Sequence, residues 1–299
     1  MKVLLSGSSG LLGSALLERF ESERVEVVRL ARPHSRKSEG VSWDPVSGEI
    51  EKNRLEGFDA VVHLAGENIA GRWTEAKKNR IRNSRVEGTR LLAGALAGLA
   101  RPPKALICAS AIGYYGDRGA EILREDSAAG KSFLGRVCQE WEQAAMPAAG
   151  KGIRVVWLRF GVILSPNGGA LKEMLPPFRM GLGGVIGDGG QFMSWLAIDD
   201  AVGIVMHALN APDLRGPVNA VAPNPVTNRE FTKALGRALG RPTTLPLPKP
   251  IVRLIFGEMA EATILASARV EPAILNASGY KFRFPEVESA LRHLLGRIF

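Results

Sequence analysis

The sequence predicts an α/β fold, a doubly wound parallel sheet with a smaller, mostly helical C-terminal lobe. Three observations predict it. Short apolar runs alternate with helical stretches through the first half of the chain. Three glycines follow the first of those runs. After Pro166 the texture changes to glycine clusters (Gly181 to Gly190) and proline clusters (Pro242 to Pro250), between and beyond which helical patterns dominate. Apolar runs separated by helices are buried on both faces, which is the pattern of a parallel sheet covered on either side.

Taken in order, Val3-Leu4-Leu5 predicts a strand over Lys2–Ser6. Leu11, Leu12, Ala15, Leu16 and Phe20 recur at helical spacing and predict a helix near Leu11–Glu21. Further strands are expected at Val25–Leu30, Ala60–Ala65, Ala105–Ala109 and Arg154–Arg159, with helices near Thr74–Leu99, Ser132–Ala149 and Asp199–Asn210. In the later part, helices are expected at Asn228–Leu239, Pro250–Leu265 and Glu286–Ile298. Residues 1–166 thus read as a Rossmann domain and 167–299 as a smaller substrate lobe, with roughly 193–222 returning to the sheet. No internal repeat is present.

Gly7, Gly10 and Gly13, in Ser6-Gly7-Ser8-Ser9-Gly10-Leu11-Leu12-Gly13, sit where the first strand turns into the first helix. A pyrophosphate needs bare backbone N–H groups and a helix N-terminus at close range, and side chains there would block it. The spacing is G-x-x-G-x-x-G rather than G-x-G-x-x-G. Its position after an apolar strand and before a periodic helix points to a dinucleotide cofactor held by Gly7 to Gly13.

At 299 residues, 45% of them hydrophobic, the chain can bury one large core and a smaller second one. No stretch approaches roughly eighteen uninterrupted apolar residues, so no membrane span is expected. Met1 runs straight into the first strand without a cleavable leader, which predicts a cytoplasmic protein. Cys108 and Cys138 have no metal or redox spacing and are expected as inert core thiols; no metal site is expected. The net charge is +9, but the basic residues are scattered apart from Arg32 to Lys37 and Lys77 to Arg90, with no interleaved aromatics. That fits a phosphate-bearing ligand and excludes neither solubility nor catalysis, while disfavouring nucleic acid. The expected partner is a small-molecule substrate. A homo-oligomer is compatible with the sequence and not derivable from it.

Phe58-Asp59-Ala60-Val61-Val62-His63-Leu64-Ala65-Gly66, Ser84-Arg85-Val86-Glu87-Gly88-Thr89, Ala109-Ser110 to Tyr115-Gly116-Asp117 and Glu125-Asp126-Ser127 resemble an extended short-chain dehydrogenase/reductase. More narrowly, Ala65-Gly66-Glu67-Asn68-Ile69, Ala111-Ile112-Gly113-Tyr114-Tyr115-Gly116 and Gly181-Leu182-Gly183-Gly184 resemble the atypical "epimerase family", also labelled "cell-division inhibitor". Val221 to Asn228 and the helical tail are similar to its C-terminal segment, so the resemblance covers essentially the whole chain. It implies NAD(P)-dependent chemistry and supplies no substrate.

The superfamily relays protons through Ser, Tyr and Lys, the last two spaced Y-x-x-x-K, with the Lys lowering the phenol pKa. This chain has three tyrosines, Tyr114, Tyr115 and Tyr280, and no Y-x-x-x-K. Where the motif belongs stand Phe133-Leu134-Gly135-Arg136-Val137-Cys138, so either register puts an apolar residue at the Tyr place and Val or Cys at the Lys place. The expected catalytic candidates are therefore Ser110, at the superfamily's catalytic Ser position, and Tyr115 and Tyr114 on a Gly-flanked turn. A strand-end hydroxyl and packing tyrosines are the plainer alternatives. Arg85 stands where many extended members carry Asn, and its guanidinium is expected to reach a cofactor phosphate or ribose.

Cofactor type is read at the end of the second strand, where an NAD site presents Asp or Glu to the ribose 2′-OH. Here stand Arg29-Leu30-Ala31-Arg32-Pro33, then His34, Arg36 and Lys37, with no acid before Glu39. NADP is the expected cofactor and Arg32 its main discriminator, against the alternative of a solvated basic loop. Leu64, Ala65 and Gly66 are expected beneath the adenosine and pyrophosphate. The resemblance places Phe160, Gly161 and Val162 beside the nicotinamide. His63 is expected as a strand residue near that site without a metal role.

Gly187 to Asp200 is similar to the segment with which nucleotide-sugar enzymes clamp a diphosphate, but Phe192-Met193-Ser194-Trp195 stands where an Arg is usual, which counts against such a substrate. Asp200 is expected to cap or start a helix. Met174, Phe178, Met193 and Trp195 are expected in a pocket wall or in the core. Two readings follow: an NADP-dependent oxidoreductase or epimerase acting on a small hydroxyl or carbonyl compound, or a catalytically silent NADP-binding sensor or structural protein.

Overall fold

In the computed structural model, which describes residues 1–33 and 40–296, β1 (Lys2–Ser6) leads through the glycine turn into α1 (Leu11–Ser22). β2 (Glu26–Ala31) and the edge hairpin of β3 (Val41–Asp44) and β4 (Glu49–Ile50) follow. The chain continues through β5 (Ala60–His63), α2 (Glu75–Ala97) and β6 (Ala105–Ala111). Next come β7 (Ile122–Leu123), α3 (Phe133–Ala144), α4 (Met146–Ala149) and β8 (Arg154–Phe160). Beyond it are β9 (Val162–Leu164), α5 (Gly169–Arg179), β10 (Phe192–Met193), β11 (Trp195–Ala197), α6 (Ile198–Asn210) and β12 (Gly216–Ala220). The chain closes with β13 (Val226–Thr227), α7 (Asn228–Leu239), α8 (Lys249–Phe256), β14 (Arg269–Val270), α9 (Ala273–Ala277) and α10 (Val287–Leu294).

Eight strands form one sheet in the order β12-β8-β6-β5-β1-β2-β3-β4. All its pairings are parallel except that of β3 with β4. Side chains alternate across a strand. Val3, Leu5, Val62 and Ile107 therefore join the core beneath α1 and α6, while Leu4, Val61, Leu106 and Cys108 join the one beneath α2. The chain leaves β1 on one side to make β2 and returns on the other to make β5. Between the carboxyl ends of β1 and β5 lies the crevice where such sheets bind ligands.

Several elements differ from expectation, each for a local reason. The helix expected over Ser132–Ala149 is two helices, because Pro147 lacks the N–H that would continue the ladder. The one expected over Pro250–Leu265 stops at Phe256, where Gly257 takes φ 60°, and a separate π-helical turn covers Ala260–Ile264. The last helix spans Val287–Leu294 rather than Glu286–Ile298, and Ile298 lies outside the described residues. α5 forms despite Pro176 and Pro177 within it. By contrast α7 runs over Asn228–Leu239 as its periodicity predicts, with a Thr227–Glu230 capping box at one end and left-handed Gly240 at the other.

Candidate functional site

The glycine turn closes against the end of β5. Gly7 has φ +70°, and a Cβ there would lie 2.7 Å from the Leu64 carbonyl carbon and 2.9 Å from the Ala65 nitrogen. A Cβ on Gly13 would lie 2.2 Å from the Gly7 oxygen. Both glycines are thus required by backbone approach. Gly10 precedes α1 without a side-chain cap, so the first-turn N–H groups of Leu11, Leu12 and Gly13 stay available to a ligand. Ser8 is half-buried, and Ser9 and Gly10 are exposed.

A buried hydroxyl–imidazole chain holds the other wall. The Leu64 and Ala65 N–H groups donate to Ser6 Oγ at 3.1 and 3.3 Å, and Ser6 Oγ lies 2.6 Å from His63 Nδ1. His63 Nε2 lies 3.0 Å from Thr89 Oγ1, which also accepts from Trp141 Nε1 at 2.9 Å. With both lone pairs of Ser6 Oγ taken by backbone N–H groups, its proton goes to Nδ1, which assigns the Nε2–H tautomer. Burial pushes the His63 pKa down to about 4, so the ring is neutral. Sequence reading placed His63 near the site but not its partners Ser6, Thr89 and Trp141. Among the described residues no cluster of His, Cys, Asp and Glu is arranged to hold a metal ion.

Arg85, on α2, lies against this wall: its Cζ is 3.3 Å from where a Gly66 Cβ would stand. Its Nη1 donates to the carbonyls of Glu67 (2.9 Å) and Ile81 (3.2 Å), and the guanidinium lies over the Trp141 ring at 5.1 Å. Arg32 is exposed and forms no ion pair among the described residues. His34, Arg36 and Lys37 of the same basic stretch lie outside them. Phe160, Gly161 and Val162 are threaded between β12 and β11. Gly161 N donates to Ala220 O, Val162 N donates to Ser194 O, and a Cβ on Gly161 would meet Ser194 O at 2.5 Å.

The catalytic candidates separate. Ser110 is buried, and its hydroxyl donates to Glu142 Oε1 at 2.7 Å. The same carboxylate accepts from Arg159 Nε and Nη2, both at 2.8 Å. Arg159 Nη1 donates to the Tyr115 hydroxyl (3.0 Å), which itself donates to Asn219 Oδ1 (2.7 Å). Tyr115 is wholly buried, and burial pushes its pKa up to about 12. Of the two hydroxyls expected to face a substrate, that of Ser110 has its proton held by Glu142, and that of Tyr115 is engaged by both Arg159 and Asn219. Tyr114 differs. It is half-buried, its ring lies 3.5 Å from Arg159 Cζ, and its hydroxyl has no partner among the described residues. Sequence reading missed Glu142, Asn219 and the role of Arg159. The available signal was an arginine inside the apolar strand Arg154–Phe160, where a charge requires a counter-ion.

Leu134 packs on Gly113, 3.3 Å from the position of a Cβ there, and Cys138 lies one turn further along the same helix. Both cysteines are buried, and burial raises both thiol pKa values, that of Cys138 to about 12. Asp200, in the first turn of α6, accepts from the Arg283 and Phe284 N–H groups and from the Tyr280 hydroxyl, tying down the C-terminal segment. Phe178 and Trp195 are core residues, and Met174 and Met193 are partly buried against that core.

A parallel sheet with a glycine turn at its switch point and helices on both faces defines a Rossmann-like protein of the extended short-chain dehydrogenase/reductase class. The chain belongs to the NAD dependent epimerase/dehydratase family, whose model matches residues 3–221; a domain of unknown function matches 247–294. It is 44% identical to an epimerase family protein of Mycobacterium bovis over 298 residues, covering 99% of this chain and 98% of the relative. It is 39% identical to the human epimerase family protein SDR39U1, covering 99% of this chain and 100% of that protein. The crystal structure of human SDR39U1 with NADPH superimposes with a TM-score of 0.92 at 38% identity, covering both chains fully. A UDP-N-acetylglucosamine 4-epimerase from Bacillus cereus shares the fold at 19% identity, with a TM-score of 0.79 and 99% of each chain covered. Among the described residues no helix is long and apolar enough to cross a membrane.

Proposed function

We propose that the chain binds NADPH across the β1/β5 crevice and acts as an oxidoreductase or epimerase on a small hydroxyl or carbonyl compound. The carrying observation is the glycine turn, where the Cβ positions of Gly7 and Gly13 are filled by backbone and an uncapped helix N-terminus is left open. In this reading Gly7, Ser8, Ser9, Gly10, Leu11, Leu12 and Gly13 receive the pyrophosphate. Leu64, Ala65 and Gly66 form the floor, Arg85 adds a cation, Phe160, Gly161 and Val162 border the nicotinamide, and Arg32 takes the 2′-phosphate. Bound NADPH would supply hydride chemistry. The NADPH held by the human neighbour, which matches along its whole length, supports the assignment.

The chain's own contribution is orientation and a proton. The free hydroxyl of Tyr114 supports it as the acid–base group, its ring stacked on Arg159. Glu142 fixes Arg159, with Ser110 on the same carboxylate and Tyr115 beneath, so these residues position Tyr114. Tyr114→Phe is expected to lower turnover about 10²–10⁴-fold with NADPH affinity unchanged, measured on a substrate found by screening aldehydes, ketones and nucleotide sugars. Full activity in the variant would overturn the Tyr114 role. Saturable NADPH binding without turnover on the whole panel would favour the silent-binder reading, which draws support from the absence of a Tyr-x-x-x-Lys sequence.

Cofactor choice is tested separately. Arg32 can donate two parallel hydrogen bonds to a 2′-phosphate, each charge-assisted. NADPH is expected to bind about 10–100-fold more tightly than NADH, and Arg32→Asp to remove that preference. Titration of both nucleotides at fixed ionic strength decides it, and equal wild-type affinities would refute the role of Arg32.

A further inference from the structure

The superfamily's lysine, which would stand on α3, is missing, yet a positive charge lies beside its place. Val137 and Cys138, buried on α3, fill the stretch where it would stand, and the Arg85 guanidinium reaches in from α2 to lie 5.1 Å from the centre of the Trp141 ring on that same helix. Arg85 is held from one side only. Nη1 is spent on the carbonyls of Glu67 and Ile81, and the plane rests on Trp141 of α3. Nε and Nη2 have no hydrogen-bond partner among the described residues. Among the described residues no carboxylate pairs with Arg85, and the carboxylate of Glu67, whose backbone carbonyl it holds, is bound to Lys77 at 2.7 Å. Burial pulls the Arg85 pKa down, the opposite of what a paired arginine shows. The guanidinium also touches the floor of the crevice, 3.3 to 3.5 Å from the place of a Gly66 Cβ.

We propose that Arg85 supplies from α2 the cation that this chain lacks on α3, and that its free Nε/Nη2 edge binds the phosphate on the nicotinamide side of the cofactor. The inference rests on the NADPH reading above and names the half of the ligand that Arg85 serves. A half-buried charge without a counter-ion is unfavourable in the free protein. A planar two-donor edge matches two oxygens of one phosphate, a pairing that a lysine point charge does not reproduce. The adenosine end, by contrast, lies toward Arg32 at the end of β2, two strands from β5.

The experiment compares two probes on wild type, Arg85→Met and Arg85→Lys. NADPH carries the nicotinamide-side phosphate, and adenosine 2′,5′-bisphosphate lacks it. Arg85→Met is expected to weaken NADPH by about 10–100-fold while adenosine 2′,5′-bisphosphate stays within about twofold, with Arg85→Lys between wild type and Met. Equal weakening of both probes, or of neither, would overturn the proposal. Thermal melting with and without NADPH gives a second readout. Arg85→Met keeps the contact with Trp141 but loses the hydrogen bonds of Nη1 to the Glu67 and Ile81 carbonyls, so the quantity compared is the rise in melting temperature that NADPH gives, which is expected to be smaller than in wild type. A rise equal to that of wild type would overturn the proposal. If wild type bound neither probe, the cofactor reading itself would fail, an outcome distinct from equal weakening of two probes that wild type binds.

Discussion

Replacing Glu142 with alanine is expected to destabilise the folded chain by about 3–5 kcal/mol, the usual cost of breaking a buried ion pair from one side. The Arg159 side chain is 3% exposed and that of Glu142 13%, so the guanidinium left behind has little access to water. Both hydrogen bonds of the bidentate pair are lost, and Ser110 loses the acceptor of its hydroxyl. The pairing holds the Arg159 pKa above the usual arginine range, against the pull of burial. A loss of this size is a large share of a typical domain's stability of about 5–15 kcal/mol. Urea titration measures it. Arg159→Met combined with Glu142→Ala is expected to recover part of the loss, because the orphaned charge is then gone. A single variant within about 1 kcal/mol of wild type would show the pair to be solvated, and Arg159 could not then be the rigid support assigned to it beneath Tyr114.

Acid is expected to destabilise the protein through His63. Its pKa falls from 6.5 to about 4 on folding, because the buried ring cannot be charged cheaply. Protons therefore bind the unfolded chain first. The contribution is fully present above pH 6.5, is lost as pH falls toward 4, and levels off once the folded protein also takes the proton. The whole span is about 3 kcal/mol. Protonation would also set an Nδ1–H against the Ser6 hydroxyl proton, turning that hydroxyl and weakening its hold on the Leu64 and Ala65 N–H groups and so on the floor of the crevice. Denaturation between pH 4 and 8 is expected to show this slope in wild type and a shallower one in His63→Gln. Identical slopes would assign the acid sensitivity to the carboxylates.

The glycine turn was legible because its cause is local. A strand, three glycines and a periodic helix lie within the first twenty residues, and the only long-range requirement is the approach of Leu64 and Ala65 to Gly7. The α7 helix was legible for the same reason, with its capping box and terminal Gly240 adjacent in sequence. The short strands β7, β10, β13 and β14 were not, since two-residue strands carry no periodicity and exist only because a partner lies alongside. Ser110 and Tyr115 show what sequence position leaves out at a site. Both stand on the strand and turn where catalytic hydroxyls belong, and their partners are a carboxylate 32 residues away and an amide 104 residues away.

The sequence by itself determined the parallel α/β sheet, the glycine turn at its switch point, the absence of a Tyr-x-x-x-Lys sequence and the basic character at the end of β2. Each of these is written in neighbouring residues, through strand and helix periods, glycine spacing and charge. The tertiary structure alone decided which polar groups remain free. A hydroxyl or guanidinium is available to a ligand only if no distant residue satisfies it, and hydrogen-bond partners such as Glu142, Asn219 and Thr89 are brought in by packing of elements far apart in the chain. That is why, among the described residues, Tyr114 and not Tyr115 keeps an unengaged phenol, and why Arg85 keeps an open edge against Gly66.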